Sequence, residues 1–250
     1  MRSCSRNPQM VKSSSSGDTR RVVDRLLTCS VHSGSALGDT EWAEVSELFS
    51  SSYGFYSEKD PSGRAGRRIR LLPSYYRRAY ASDTYQIAIC REGEKLVAEV
   101  VSRACETSRG PAAFVVQLVV DERYRRRGIA CNLLRKISGV ADFFCLGVVT
   151  SNPLTVRALE SATSRCVDLK MMMVHEALIR NEILADVDFL EMAQWRISSA
   201  ESVVDSGFYT DRSSASKVTD VLSARLGTLP EGSEWLAFVF HDQPYVAVVG

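Results

Sequence analysis

From Phe114 to Val120 the chain reads FVVQLVV, six apolar residues around one glutamine. An apolar run of this length predicts a strand buried on both faces. Behind it, from Gly128 onward, Ile129, Leu133, Ile137 and then Val140 or Ala141 recur at helical spacing, so strand, tight turn and helix succeed one another. A second apolar run, FFCLGVV, leads into SNPLTVRALESA. There Pro153 suits the first turn of a helix, and Ser151 or Asn152 can cap it. Upstream, TYQIAICR and KLVAEVVSRA are strand segments joined by the turn EGEK, which predicts a hairpin.

Toward the N-terminus, Trp42, Val45, Leu48 and Phe49 follow helical spacing behind Asp39 or Thr40, either of which offers an N-cap side chain. A shorter helix is predicted from about Arg20 to Leu27. DPSGRAGR then interrupts the pattern before the aromatic LLPSYYRRAY, which reads as core and rim, with an acceptor-lining role as the alternative. Beyond Asp168, KMMMVHEALIRNEILADVDFLEMAQWR is largely helical in pattern, with Met171 to Met173 as core filler. VVDSGFYTD and EWLAFVF read as the last two strands, and SSASKVTDVLSARLG between them as a helix stopped by Gly227. The first sixteen residues hold six serines and no acid. Residues 1–19 are therefore expected to be a disordered tail, with an organelle transit peptide as the alternative.

A chain of 250 residues with 45% apolar and 24% charged residues has the balance of a soluble globular protein, and residues 20–250 are expected to form a single elaborated domain. No apolar run reaches the ~18 residues of a membrane span. With 31 basic and 30 acidic residues, the overall field gives no reason to expect nucleic acid as a partner. Seven cysteines with no CxxC pair, and three histidines far apart at His32, His175 and His241, argue against a metal site. The cysteine usage points to a reducing, cytoplasmic setting.

The stretch DERYRRRGIACNLL places four arginines in five positions at the strand-to-helix turn. Such a turn directs several unpaired N–H groups at one spot, where the helix dipole favours an anion. Gly128 permits close approach or positive φ, and the small Ala130 keeps the helix start open. The turn therefore reads as a pyrophosphate cradle, against the plainer reading of a solvated basic face.

Here the chain resembles the GNAT superfamily of acyl-CoA-dependent N-acyltransferases. The family signature Q/R-x-x-G-x-G/A after a buried strand stands here as RRRGIA, and an Asn-Pro-type helix start follows as SNPLTVRALES. The resemblance is clear from about Tyr85 to Asp168. It implies an α/β fold with a mixed, mostly antiparallel central sheet, splayed parallel central strands and flanking helices. A helical insertion is expected at about 166–200. It also implies acetyl-CoA as co-substrate, no metal, and an amine acceptor on a small molecule or protein. Carried over, Leu118, Val119 and Val120 pair with the pantetheine arm, and a main-chain N–H near Val119 polarises the thioester carbonyl. Arg125, Arg126, Arg127, Gly128, Ile129 and Ala130 hold the pyrophosphate. Asn152 hydrogen-bonds the arm, or simply caps its helix.

The sequence departs from the family at two positions. Phe114 stands at a frequent carboxylate position, and Leu159 where many members place a tyrosine acid. Glu99, in the strand expected beside the buried one, is the substitute candidate for the base that deprotonates the amine; Tyr124 is a weaker candidate acid. Two functions follow: an N-acetyltransferase, or a non-catalytic acyl-CoA-binding sensor or partner-binding module that kept the cradle and lost the chemistry.

Overall fold

The computed structural model describes residues 26–138, 143–191, 193–213 and 216–245. The expected tail, the helix expected from Arg20 (except its end at Leu26 and Leu27), and Val140 and Ala141 lie outside the described residues.

Strands β1 (Leu27–Ser33), β2 (Tyr85–Glu92), β3 (Lys95–Thr107), β4 (Gly110–Val120), β5 (Cys145–Thr150), β6 (Gln194–Ile197), β7 (Ser202–Asp205) and β8 (Ser233–Phe240) make one sheet. Its order is β1-β2-β3-β4-β5-β8-β7-β6. Every neighbouring pair is antiparallel except β4 and β5, which run parallel. The helices are α1 (Asp39–Ser52), α2 (Pro73–Tyr80), α3 (Ile129–Ser138), α4 (Pro153–Thr163), α5 (Leu169–Val174), the single turn α6 (Glu176–Leu178) and α7 (Ser216–Leu226). No helix among the described residues is long and apolar enough to cross a membrane.

The two faces of the sheet separate by strand alternation. Ile87 and Ile89 of β2 and Val119 of β4 point toward α1 and α2, where they join Trp42, Val45, Phe49 and Tyr76. Ala88, Cys90 and Val120 point the other way, onto Ile129 and Leu133 of α3. The long strand β4 is covered from both sides, as its largely apolar sequence requires. Gly147 of β5 is fixed by packing, because a Cβ there would lie 2.0 Å from the Phe238 ring, which stacks on Phe114 at 6.0 Å.

Several expectations need correction. Leu27 opens an edge strand, and β1 was not foreseen because LTCSVHS is half-exposed and rich in small polar residues. Gly38, not Asp39 or Thr40, is the N-cap of α1, and Glu41 Oε2 accepts its N–H at 3.0 Å. The segment after Asp168 is broken into short helical pieces and a π-helical turn at Ile179–Ile183, and its last residues form the edge strand β6. Only Met172 of the methionine run is fully buried; Met173 is exposed. Cys29 and Cys90 are joined as a disulfide, contrary to the wholly reduced set expected. The cause is β1, whose register sets Cys29 directly opposite Cys90.

Candidate active site

Strands β4 and β5 pair only from Ala112–Cys145 to Val115–Val148. Beyond that point β4 continues to Val120 alongside β3, while Val149 and Thr150 of β5 pair with β8. The two strands therefore part, and half-buried Val116 and Leu118 sit on the β4 side of the opening. Asp121 donates its N–H to Val97 O at 2.8 Å. By the alternation of an antiparallel ladder, Val119 and Glu99 then form the next hydrogen-bonded pair, two residues back. The N–H of Val119 is thus spent on β3. The main-chain groups that face the opening belong to its neighbours Leu118 and Val120.

The turn that follows β4 is ordered by its own side chains. Asp121 accepts from Arg123 N–H at 3.0 Å and pairs with Arg123 and Lys95. Arg125, also exposed, is engaged by the protein: Nε donates to Val120 O at 3.1 Å and Nη2 to Ser52 O at 2.5 Å, tying the end of β4 to the end of α1. Two of the four arginines are thereby committed to protein partners. Arg126 and Arg127 stay exposed, and the Arg127 guanidinium lies 5.1 Å from the centre of the Tyr124 ring. Arg126 and Gly128 both take left-handed backbone, φ 62° and 73°. The first helical bond is Asn132 N–H to Gly128 O, and the N–H groups from Arg126 to Cys131 find no acceptor among the described residues. That row of donors at the start of α3, Ile129 and Ala130 included, suits an anion.

Glu99 projects from β3 on the α1–α2 side. It is fully buried, and neither carboxylate oxygen has a hydrogen-bond partner. Burial pushes its pKa up to about 8, because a desolvated carboxylate favours its neutral form. Beside it Gln117 Nε2 donates to the Tyr76 hydroxyl at 2.6 Å, while Gln117 Oε1 is also unpartnered. Tyr53, just past the end of α1, stacks on Phe49 at 4.3 Å and leans on Phe208 at 6.1 Å. Burial, then the charges of Glu234 and Glu99, hold its hydroxyl protonated. Glu234, at the start of β8, is a second buried carboxylate. Burial raises it to about 7, against the Ser206 hydroxyl at 2.7 Å and the Ser151 N–H, which favour its charged form.

Tyr53 and Glu234 were not found from sequence. Tyr53 lies just beyond the α1 pattern, and the packing of α1 on β3 and β4 brings it within range of both carboxylate charges. The side chains at the other anticipated positions have these partners in the fold. Asn152 Oδ1 accepts from Leu154 N–H at 3.0 Å and so caps α4. Tyr124 donates its hydroxyl to Glu92 at 2.8 Å, which occupies it away from Glu99. Phe114 and Leu159 are core. No group of three or more His, Cys, Asp or Glu among the described residues is placed to hold a metal.

Residues 42–152 match the model of the acetyltransferase (GNAT) family. Solved structures to which the chain is similar include an aminoglycoside acetyltransferase from an uncultured soil metagenomic sample in complex with sisomicin. It is 17% identical over 57% of this chain and 88% of its own, with a TM-score of 0.39. Another is the ribosomal-protein-S18-alanine N-acetyltransferase of Escherichia coli, 14% identical over 54% of this chain and 76% of its own, TM-score 0.39. A comparison with curated proteins returned no match. The family model covers residues 42–152 alone, and the likeness to these distant structures adds no argument to it.

Proposed function

We propose, from the membership of residues 42–152 in the acetyltransferase (GNAT) family, that the protein is an N-acetyltransferase that moves an acetyl group from acetyl-CoA to an amine of a small molecule or protein. The observation that carries this reading is Glu99, a fully buried carboxylate without a partner, one strand from the main chain that the parting of β4 and β5 leaves open. Acetyl-CoA supplies the activated acyl group. The N–H groups from Arg126 to Cys131 and the side chains of Arg126 and Arg127 would hold its phosphates, and the main chain of Leu118 with the N–H of Val120 its arm, the Val120 carbonyl being taken by Arg125.

Glu99 is suited to take a proton from the amine, directly or through water, since a base with a pKa of about 8 is matched to work near neutrality. Gln117 and Tyr76 would orient the group that approaches it. Tyr53 keeps its proton at neutral pH and so is the donor available to the leaving sulfur. Burial of that sulfur in the same site would raise its basicity and narrow the gap between the two. The proton accepted by Glu99 would then restore Tyr53.

The second reading, a non-catalytic acyl-CoA-binding module, is favoured by Phe114 and Leu159, both packed into the core. Incubation with acetyl-CoA and a panel of amines separates the two. Amine-dependent release of free thiol supports the enzyme; tight CoA binding without turnover above background supports the module.

A further inference from the structure

Residues 54–80 carry seven cations, Lys59, Arg64, Arg67, Arg68, Arg70, Arg77 and Arg78, against the two acids Glu58 and Asp60, in a protein whose net charge is only +1. Three of the cations are neutralised in the fold: Lys59 by Glu231 at 3.4 Å, Arg64 by Asp60 at 2.9 Å and Arg77 by Asp39 at 2.7 Å. Arg78 lies over the Tyr75 ring. Arg67, Arg68 and Arg70 have no acid within ion-pair distance among the described residues.

Arg68 and Arg70 line a cleft of about 290 Å³ together with Glu47, Ser50 and Ser51 of α1. The Arg68 guanidinium is already fixed there, since Nη1 donates to Ser51 O at 2.5 Å and its carbon lies 4.4 Å from the centre of the Phe55 ring. A guanidinium anchored on one side keeps its remaining N–H groups aimed, and binding then costs little further side-chain ordering. Ser51 O and Ser52 O are consecutive carbonyls, and Arg125 holds the second. The cleft therefore lies beside the end of α1 that Arg125 ties to the end of β4. Arg68 and Arg125 offset the negative end of α1, and Arg70 with Arg67 leaves a positive surplus over Glu47.

We propose that this cleft is an anion-binding site that seats one phosphate or carboxylate group of a ligand lodged where β4 and β5 part. The assignment of that group to a donor or an acceptor rests on the N-acetyltransferase reading; the anion site itself does not. Two sources share the chemistry: the 3′-phosphate of coenzyme A, and an acidic group carried by the amine acceptor.

The site alone is tested by titrating inorganic phosphate into the full chain and following the arginine Nε–H resonances by NMR. The Arg68 and Arg70 signals should move, and in Arg70→Ala the Arg68 response should fall at least severalfold. Static Arg68 and Arg70 signals in the wild type overturn the proposal whatever the activity. Calorimetry of CoA against 3′-dephospho-CoA reads the first source: a wild-type preference of about tenfold should vanish in the Arg67→Ala, Arg70→Ala double variant. Matched amines with and without a carboxylate read the second, with KM rising about tenfold in that variant for the acidic amine alone. A phosphate response with neither ligand effect overturns the link to donor and acceptor. A wild type that neither binds CoA nor acetylates any amine overturns the enzyme reading, while the phosphate titration still decides the cleft.

Discussion

Glu99 holds its proton in the folded chain up to a pH of about 8, whereas its ordinary value is 4.5. Two consequences follow with definite sign. Below pH 4.5 both folded and unfolded chains are protonated there and the residue costs nothing. As pH rises from 4.5 to 8 the unfolded chain gives up the proton while the fold retains it, so the fold loses stability across this window, by on the order of a few kcal/mol. Glu99→Gln should therefore unfold at a higher temperature than the wild type at pH 9 and show little gain at pH 5. In the proposed catalysis the sign reverses, since only the ionised residue could act as base. Wild-type kcat/KM should climb with pH through about 8, and Glu99→Gln should lose about 10²-fold in turnover together with that limb, with CoA affinity unchanged. An unaltered pH–rate profile in the variant would remove Glu99 from the mechanism. Tyr53→Phe keeps the ring on Phe49 and deletes the hydroxyl. It should lower turnover by about 10²-fold with acetyl-CoA and much less with an aryl thioester, whose acidic thiol leaves without a proton. Equal losses with both donors would assign Tyr53 a packing role.

On the proposed reading, the β4 to α3 turn would bind through main-chain groups more than through charge. Gly128 has φ 73°, and a Cβ there would meet no neighbour within 4 Å, so Gly128→Val strains the backbone and crowds the donors without disturbing the core. CoA binding should be abolished with the fold intact, as read by calorimetry and circular dichroism. Arg126→Ala and Arg127→Ala leave the N–H groups in place. Each should cost on the order of 1 kcal/mol of CoA affinity, more at low salt than at high salt. Wild-type affinity in Gly128→Val would refute the cradle. Arg125 belongs to a different category, because it joins Val120 O to Ser52 O; its loss should loosen α1 from β4 and with it the placement of Tyr53.

Across the whole molecule the Cys29–Cys90 disulfide ties the first strand to the sheet and closes 61 residues that include α1, the basic loop and α2. A loop of that length constrains the unfolded chain strongly, and Cys29→Ser should lower stability by roughly 2–4 kcal/mol under oxidising conditions and change nothing under reductant. Peptide mapping without reductant should recover the two cysteines linked; their separate recovery would contradict the pairing.

The central strands, the β4 to α3 turn and the start of α4 are legible in the chain because they are encoded locally. The apolar run from Phe114 to Val120 requires burial on both faces, RRRGIA sets a glycine turn before a helix, and Asn152-Pro153 starts the next one. Glu99 could be chosen from its place in the hairpin strand, yet its missing partners and its raised pKa arise only when α1 and α2 close over β3 and exclude water. The same is true of Arg125, whose neighbours in the sequence suggest phosphate while the end of α1, 73 residues away, claims its guanidinium. The edge strands β1 and β6 were illegible for a related reason: a short, half-exposed strand carries little hydrophobic pattern and is defined by the partner it pairs with. Tyr53 and Glu234 lie far apart in the chain and carry no shared spacing. Only the packing of α1 against the sheet brings them together, because desolvation and through-space charge depend on the assembled surroundings rather than on order along the chain.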